Sequence, residues 1–178
     1  MSELEQIIDK VINKSILKSQ DIPSLDLYMD QIMTLFETNL NDNKRYKDDK
    51  LLTKTMINNY SKAGIIKPVK GKKYTKEQII GMLIIYNLKN IITIQEIKDL
   101  LLPIYGTNEN LETIYDRFIE ITTNQTQLKP LIDNLINTNQ LDINDKNEKL
   151  IAILVLANLA NQIINVIEGI IDNDSKNI

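Results

Sequence analysis

Apolar residues recur at every third or fourth position along almost the whole chain, and this regularity restricts it to packed amphipathic helices. Strand-like alternation is nearly absent. Ser2 with Glu5 has the pattern of a capping box and opens a first helix expected to reach about Lys18. Asp21-Ile22-Pro23-Ser24 interrupts it, and Leu25, Tyr28, Ile32, Leu35, Phe36 and Leu40 mark the apolar face of a second helix. A polar loop follows over 41–50. A short helix from about Leu51 to Lys62 then ends at Gly64, a residue suited to the position just past a helix. Pro68 and Gly71 between short flanks predict a small β-hairpin or extended loop over 65–74.

Thr75 with Gln78 and Thr93 with Glu96 open two further helices, the second ending before Pro103. From Asn108 onward the chain reads as wholly helical. Leu111, Ile114, Tyr115, Phe118 and Ile121 form one stripe, and Pro130 sits at the start of the following helix. The last and most apolar helix runs from Glu148 to about Asp172. Within it Asn158, Asn161, Gln162 and Asn165 fall at i, i+3, i+4 and i+7, one stripe of a soluble helix, and Glu168 adds a charge. The stripe reads as a solvent or inter-helix face. With the acidic start Met1-Ser2-Glu3-Leu4-Glu5, these features predict a cytoplasmic protein with no membrane association.

Composition narrows the function. The chain has no Cys and no His, which removes thiol nucleophiles, zinc–thiolate sites, His-based acid–base chemistry and the Ser-His-Asp triad. Glu112, Asp116 and Glu120 share a helix face, and Asp142, Asn144, Asp145, Asn147 and Glu148 cluster in a loop. The first set reads as a solvated face, and the second lacks the glycine and spacing of a calcium loop. The expectation is a protein that is not an enzyme, with no cofactor and no metal. The net charge of −3 conceals an asymmetry: 44–76 holds eleven cations against Asp48 and Asp49, about +9, leaving about −12 elsewhere.

The short basic helix carries the functional expectation. At ~100° per residue, Leu52, Met56, Tyr60 and Ala63 fall on one side, and Ser61, Lys54, Asn58, Lys62 and Thr55 on the other. Cations, amides and hydroxyls without a carboxylate are the groups that meet phosphates and base edges. The expected DNA contacts are Lys54, Thr55, Asn58, Asn59, Tyr60 and Lys62 on the helix. Lys67, Lys70, Lys72 and Lys73 around Gly71 extend them beyond it. Tyr60 and Tyr74 suit packing or phosphate contact equally.

The residues Ile57-Asn58-Asn59-Tyr60, Gly64-Ile65-Ile66, Pro68, Tyr74-Thr75 and Ile94-Gln95-Glu96-Ile97-Lys98-Asp99-Leu100-Leu101 resemble the winged helix-turn-helix of MerR-type transcription regulators. The whole chain also resembles an uncharacterised, MerR-like family of cytoplasmic bacterial proteins. Asn58 stands where that pattern usually carries arginine, the wing is shorter, and the 41–50 loop is longer than the usual turn of about 3–4 residues. The resemblance implies a mainly α fold: an N-terminal helix over 1–20, a winged helix-turn-helix with a β-hairpin wing over 21–103, and an all-helical dimerisation or sensing region over 104–178. It implies a sequence-specific DNA-binding regulator that docks on double-stranded DNA as a homodimer, with a small-molecule effector left open. The rival expectation is a helical interaction module whose basic segment binds an acidic protein.

Overall fold

The computed structural model describes residues 2–69, 71–105, 110–124 and 127–175. Among them are eight α-helices: α1 (Glu3–Ile12), α2 (Met29–Leu40), α3 (Lys54–Lys62), α4 (Lys76–Leu88), α5 (Ile94–Tyr105), α6 (Leu111–Thr123), α7 (Leu128–Asn137) and α8 (Lys146–Ser175). Two short strands, β1 (Leu27–Tyr28) and β2 (Lys73–Tyr74), pair antiparallel with Leu27 opposite Tyr74 and Tyr28 opposite Lys73. The fold is mainly α. The expected hairpin within 65–74 is corrected: its one described strand pairs instead with the strand preceding α2. Tyr74 and Leu27, both buried, anchor that pairing.

The chain divides into two compact units, 14–123 and 1–13 with 124–178. α6 belongs to the first of them. Tyr115 on α6 is 2% exposed and its hydroxyl donates to the carbonyl of Leu17 at 2.8 Å, which binds both ends of 14–123 into one core. α1 also stops at Ile12 rather than Lys18. The backbone and side-chain amides of Asn13 both donate to the Asp9 carbonyl, which closes the helix.

In the 14–123 unit, α4 is the central element. Gln78, Ile79, Ile80, Gly81, Met82, Leu83 and Ile85 are all buried, as expected of a helix that is apolar all round. Phe36 and Ile32 of α2, Ile57 of α3, and Ile65, Ile66 and Ile97 complete the core. Each contributes roughly 1.5–3 kcal/mol of burial. α5 continues through Pro103 to Tyr105 rather than ending before Pro103, with the ring of Pro103 exposed. The long 41–50 loop is tied down locally. The Asp49 carboxylate accepts from the amides of Arg45 and Tyr46, Lys44 pairs with Glu37 at 2.5 Å, and the Asn43 amide donates to Ser15 at 2.8 Å.

The second unit contains α1, α7 and α8. Among its described residues Ile8, Ile136 and Ala152 are buried, and Lys129 pairs with Asp9 at 3.2 Å. α8 is 30 residues, about 45 Å at 1.5 Å per residue. Its Lys146–Asn173 stretch is long and apolar enough to cross a membrane by length and composition alone, with a mean hydropathy of 2.1.

Candidate nucleic-acid interface

α3 is fixed at both ends. The Thr53 hydroxyl accepts the Met56 amide at 3.1 Å, which caps the start. At the other end Gly64 adopts φ +73°, its amide donates to Ser61 at 3.1 Å and the Ile65 amide donates to Tyr60 at 2.9 Å. Those two bonds form a Schellman cap that turns the chain sharply into the next segment. Any residue with a Cβ at Gly64 meets the left-handed penalty of about 1–2 kcal/mol.

The helix buries Ile57 completely and Tyr60 almost so, with Met56 half-buried. The inward side therefore centres on Ile57, and Ala63, expected inside, is exposed. Of the two roles that suited Tyr60, its burial favours packing, and that burial pushes its phenol pKa up. The outward side presents Lys54, Thr55, Asn58, Asn59 and Lys62, all exposed. Ser61 donates to the Ile57 carbonyl at 3.0 Å, so its hydroxyl is engaged within the helix. Lys54 is paired with the exposed Asp30 of α2, which sets one carboxylate at the edge of an otherwise cationic and amide face.

The segment after α3 is held from two other helices. Buried Gln78 donates its amide to the carbonyls of Lys67 at 2.9 Å and Pro68 at 3.1 Å, while its oxygen accepts the Thr75 amide at 2.8 Å. The Tyr105 hydroxyl donates to the Ile65 carbonyl at 2.9 Å. Burial, with the Glu77 charge second, pushes that phenol up to about 12. Gly81 provides its seat, since a Cβ there would lie 3.2 Å from the Tyr105 oxygen. Lys67 pairs with Glu77 at 2.8 Å and stands 4.9 Å over the Tyr105 ring. It is thus a member of this clamp rather than a free cation. Beyond it Lys72 and Lys73 are exposed, Lys73 lying 4.9 Å over the Tyr28 ring. Lys70 lies outside the described residues.

Of the ten expected contacts, the structure leaves Lys54, Thr55, Asn58, Asn59 and Lys62 on one face of α3 and Lys72 and Lys73 exposed beyond it. It takes Tyr60 and Lys67 into packing and pairing. Sequence reasoning missed Asp30, Glu77, Gln78 and Tyr105. Only Gln78 had a local signal, as the N3 residue of a capping box; Tyr105 meets its carbonyl partner across 40 positions, beyond any local pattern.

Among the other singled-out carboxylates, Glu112, Asp142 and Asp145 have partners. Glu112 pairs with Lys76 at 2.6 Å. Asp145 accepts the amides of Glu148 and Asn147 at the start of α8, and those backbone bonds hold its carboxyl below the usual range. Residues 17–118, more than half of the chain, match the profile of a family described as a domain of unknown function, DUF1836. No curated protein and no solved structure matches at a significant level.

Proposed function

The chain belongs to the DUF1836 family, and for it we propose sequence-specific binding of double-stranded DNA by a MerR-like winged helix-turn-helix, in the role of a transcription regulator. The observation that carries this reading is the outward face of α3. Five exposed side chains on nine residues offer two amides, two cations and a hydroxyl. The helix is about 14 Å long, and the major groove it would enter is about 12 Å wide. Asn58 and Asn59 have the donor–acceptor pair that reads adenine, while Lys62, Lys72 and Lys73 suit phosphates. Thr55 can reach either. The clamp on residues 65–68 supports the reading, since it fixes the direction in which the Lys72–Lys73 segment leaves α3. The mechanism is docking and readout, without chemistry on the DNA.

The test is an electrophoretic mobility shift on the DNA upstream of the protein's own gene, with a random duplex as control, at two salt concentrations. The reading expects a specific complex that weakens steeply between 50 and 200 mM salt, as counterions are released from neutralised phosphates. Failure to shift either duplex at low salt refutes it and leaves the acidic-protein partner as the use of the basic face.

A further inference from the structure

Lys44 and Lys54 pair with Glu37 and Asp30, two carboxylates seven residues apart and therefore on one face of α2. Segment 44–54 thus runs back along that face, from the C-terminal end of α2 to its start. The two carboxylates stand about 10.5 Å apart along the helix, whereas ten residues of extended chain reach about 33 Å. The surplus folds into a turn over 45–49. The Asp49 amide donates to the Tyr46 carbonyl at 3.0 Å, and the Asp49 carboxylate accepts the amides of Arg45 at 3.1 Å and Tyr46 at 2.9 Å. Asn43 anchors one side of the turn through Ser15. Buried Leu51 and Leu52 anchor the other, directly before the Thr53 cap of α3.

Outward, this segment presents Arg45, Tyr46, Lys47, Asp48 and Lys50, all exposed. The Arg45 guanidinium lies 5.1 Å from the centroid of the Tyr46 ring, and Tyr46 is 62% exposed, so neither belongs to the core. Among the described residues no carboxylate forms an ion pair with Arg45, Lys47 or Lys50, in contrast to Lys44, Lys54, Lys67 and Lys76. Asp48 sets one exposed acid against these three cations. We propose that the turn grips the phosphate backbone of the duplex at the N-terminal end of α3. Arg45 is the phosphate ligand, Lys47 and Lys50 add charge beside it, and Tyr46 is a positioning residue whose ring holds the guanidinium. The inference rests on the reading of α3 as a DNA-binding helix.

The placement of the turn argues for this use. α3 is about 14 Å long and the major groove about 12 Å wide, so the ends of the helix come near the two strands that bound the groove. Lys72 and Lys73 follow its C-terminal end and the turn precedes its N-terminal end, which gives each strand its own basic segment. At that N-terminal end Lys54 is opposed by Asp30, and the turn supplies the unpaired cations instead. The Tyr46 ring braces one face of the guanidinium, which leaves the planar fork free for two oxygens of one phosphate. Such contacts position a protein on the duplex and carry no sequence information, so base readout stays with α3.

The test uses the full chain, with mobility shifts on a random duplex and ethylation interference on the DNA upstream of its gene. Arg45→Ala and Lys47→Ala are each expected to lower affinity roughly 5–10-fold at about 0.1 M salt and to reduce the log–log salt slope by about 0.9. Tyr46→Leu leaves the charge unchanged and is expected to lower affinity about 2–5-fold, with Tyr46→Phe at the wild-type value. Added to Arg45→Ala, Tyr46→Leu is expected to cost nothing further. Ethylated phosphates on both flanks of the site are expected to block the wild type, and Arg45→Ala to lose that sensitivity on one flank only. If the wild type shifts the duplexes while Arg45→Ala keeps the wild-type slope and both flanks of interference, the proposal for the turn is overturned and the reading of α3 stands. A wild type that shifts neither duplex overturns both.

Discussion

Gln78 supports three backbone groups at once, and its removal is the sharpest test of how the segment after α3 is held. Gln78→Ala leaves the Thr75 amide without its cap and the carbonyls of Lys67 and Pro68 without donors, at a site where Gln78 itself is 6% exposed. A net hydrogen bond is worth about 0.5–1.5 kcal/mol, so three together amount to about 2–4 kcal/mol. For a unit of this size that corresponds to a fall in Tm of roughly 10 °C. Thr75→Ala serves as the calibrant, because it removes only the hydroxyl cap on the Gln78 amide and costs about 1 kcal/mol. Gln78→Glu separates the two roles of the side chain. It keeps an oxygen for the Thr75 amide but sets a carboxylate against two carbonyls, so it is destabilising at neutral pH. Its carboxyl is raised in the folded chain, and stability returns as pH falls through that raised value. Urea unfolding followed by circular dichroism at 222 nm, with the m-value unchanged, measures all three variants. A cost of Gln78→Ala no greater than that of Thr75→Ala, or no recovery of Gln78→Glu at acid pH, would refute this role for Gln78.

Lys72→Ala should lower the slope of log affinity against log salt on a random duplex by up to ~1, while Lys67→Ala, already held by Glu77 and the Tyr105 ring, should leave it unchanged; equal slopes would contradict the assignment. Asn58→Ala should cost about 1–3 kcal/mol on a specific site and little on random sequence, and equal losses on both would show that α3 does not read bases. Asp30→Asn releases Lys54 and should raise non-specific affinity and steepen the salt slope; a titration indistinguishable from wild type would show that the pairing does not restrain Lys54. The Thr93 hydroxyl and backbone amide hold the Glu96 carboxyl below its usual range. This contribution is complete above the ordinary carboxylate range and is lost as pH falls through the lowered folded value. Glu96→Gln should therefore flatten part of the acid limb of a stability–pH curve, and an identical limb would argue against it.

Capping residues were legible in the sequence because their information is local, whereas Leu25 and Tyr28, expected on the apolar face of the second helix, precede α2 and are exposed. Ser2–Glu5, Thr75–Gln78 and Thr93–Glu96 each form the expected reciprocal box, and Gly64 takes the left-handed conformation that a helix stop there requires. Where the reading differed, a distant partner had intervened. The strand at Lys73–Tyr74 found the distant Leu27–Tyr28 instead of a neighbour within its own loop. α5 ran through Pro103 to place Tyr105 beneath Ile65, and Tyr115 at the other end of the unit reaches back to Leu17. Periodicity specifies which face of a helix is apolar; which other helix covers it depends on contacts that span 40 to 98 positions.

Charge shows the same division more sharply. A count over 44–76 treats every lysine as available, yet Lys44, Lys54, Lys67 and Lys76 pair with Glu37, Asp30, Glu77 and Glu112, all from outside the basic run. Four carboxylates thus cancel much of the excess, and a uniform basic surface is not what the fold presents. The pairings have different consequences. Those of Lys44, Lys67 and Lys76 involve half-buried groups that hold the scaffold. The Lys54–Asp30 pair is exposed on both sides, so water screens it and little stability depends on it. A phosphate approaching Lys54 meets Asp30 as well, and the Coulomb attraction it gains is reduced by that nearby like charge. The amides of Asn58 and Asn59 carry no such opposition. In the proposed complex the weight of recognition therefore shifts from the start of α3 toward its middle and its C-terminal end, where the amides, Lys62 and the clamped segment lie next to one another in sequence.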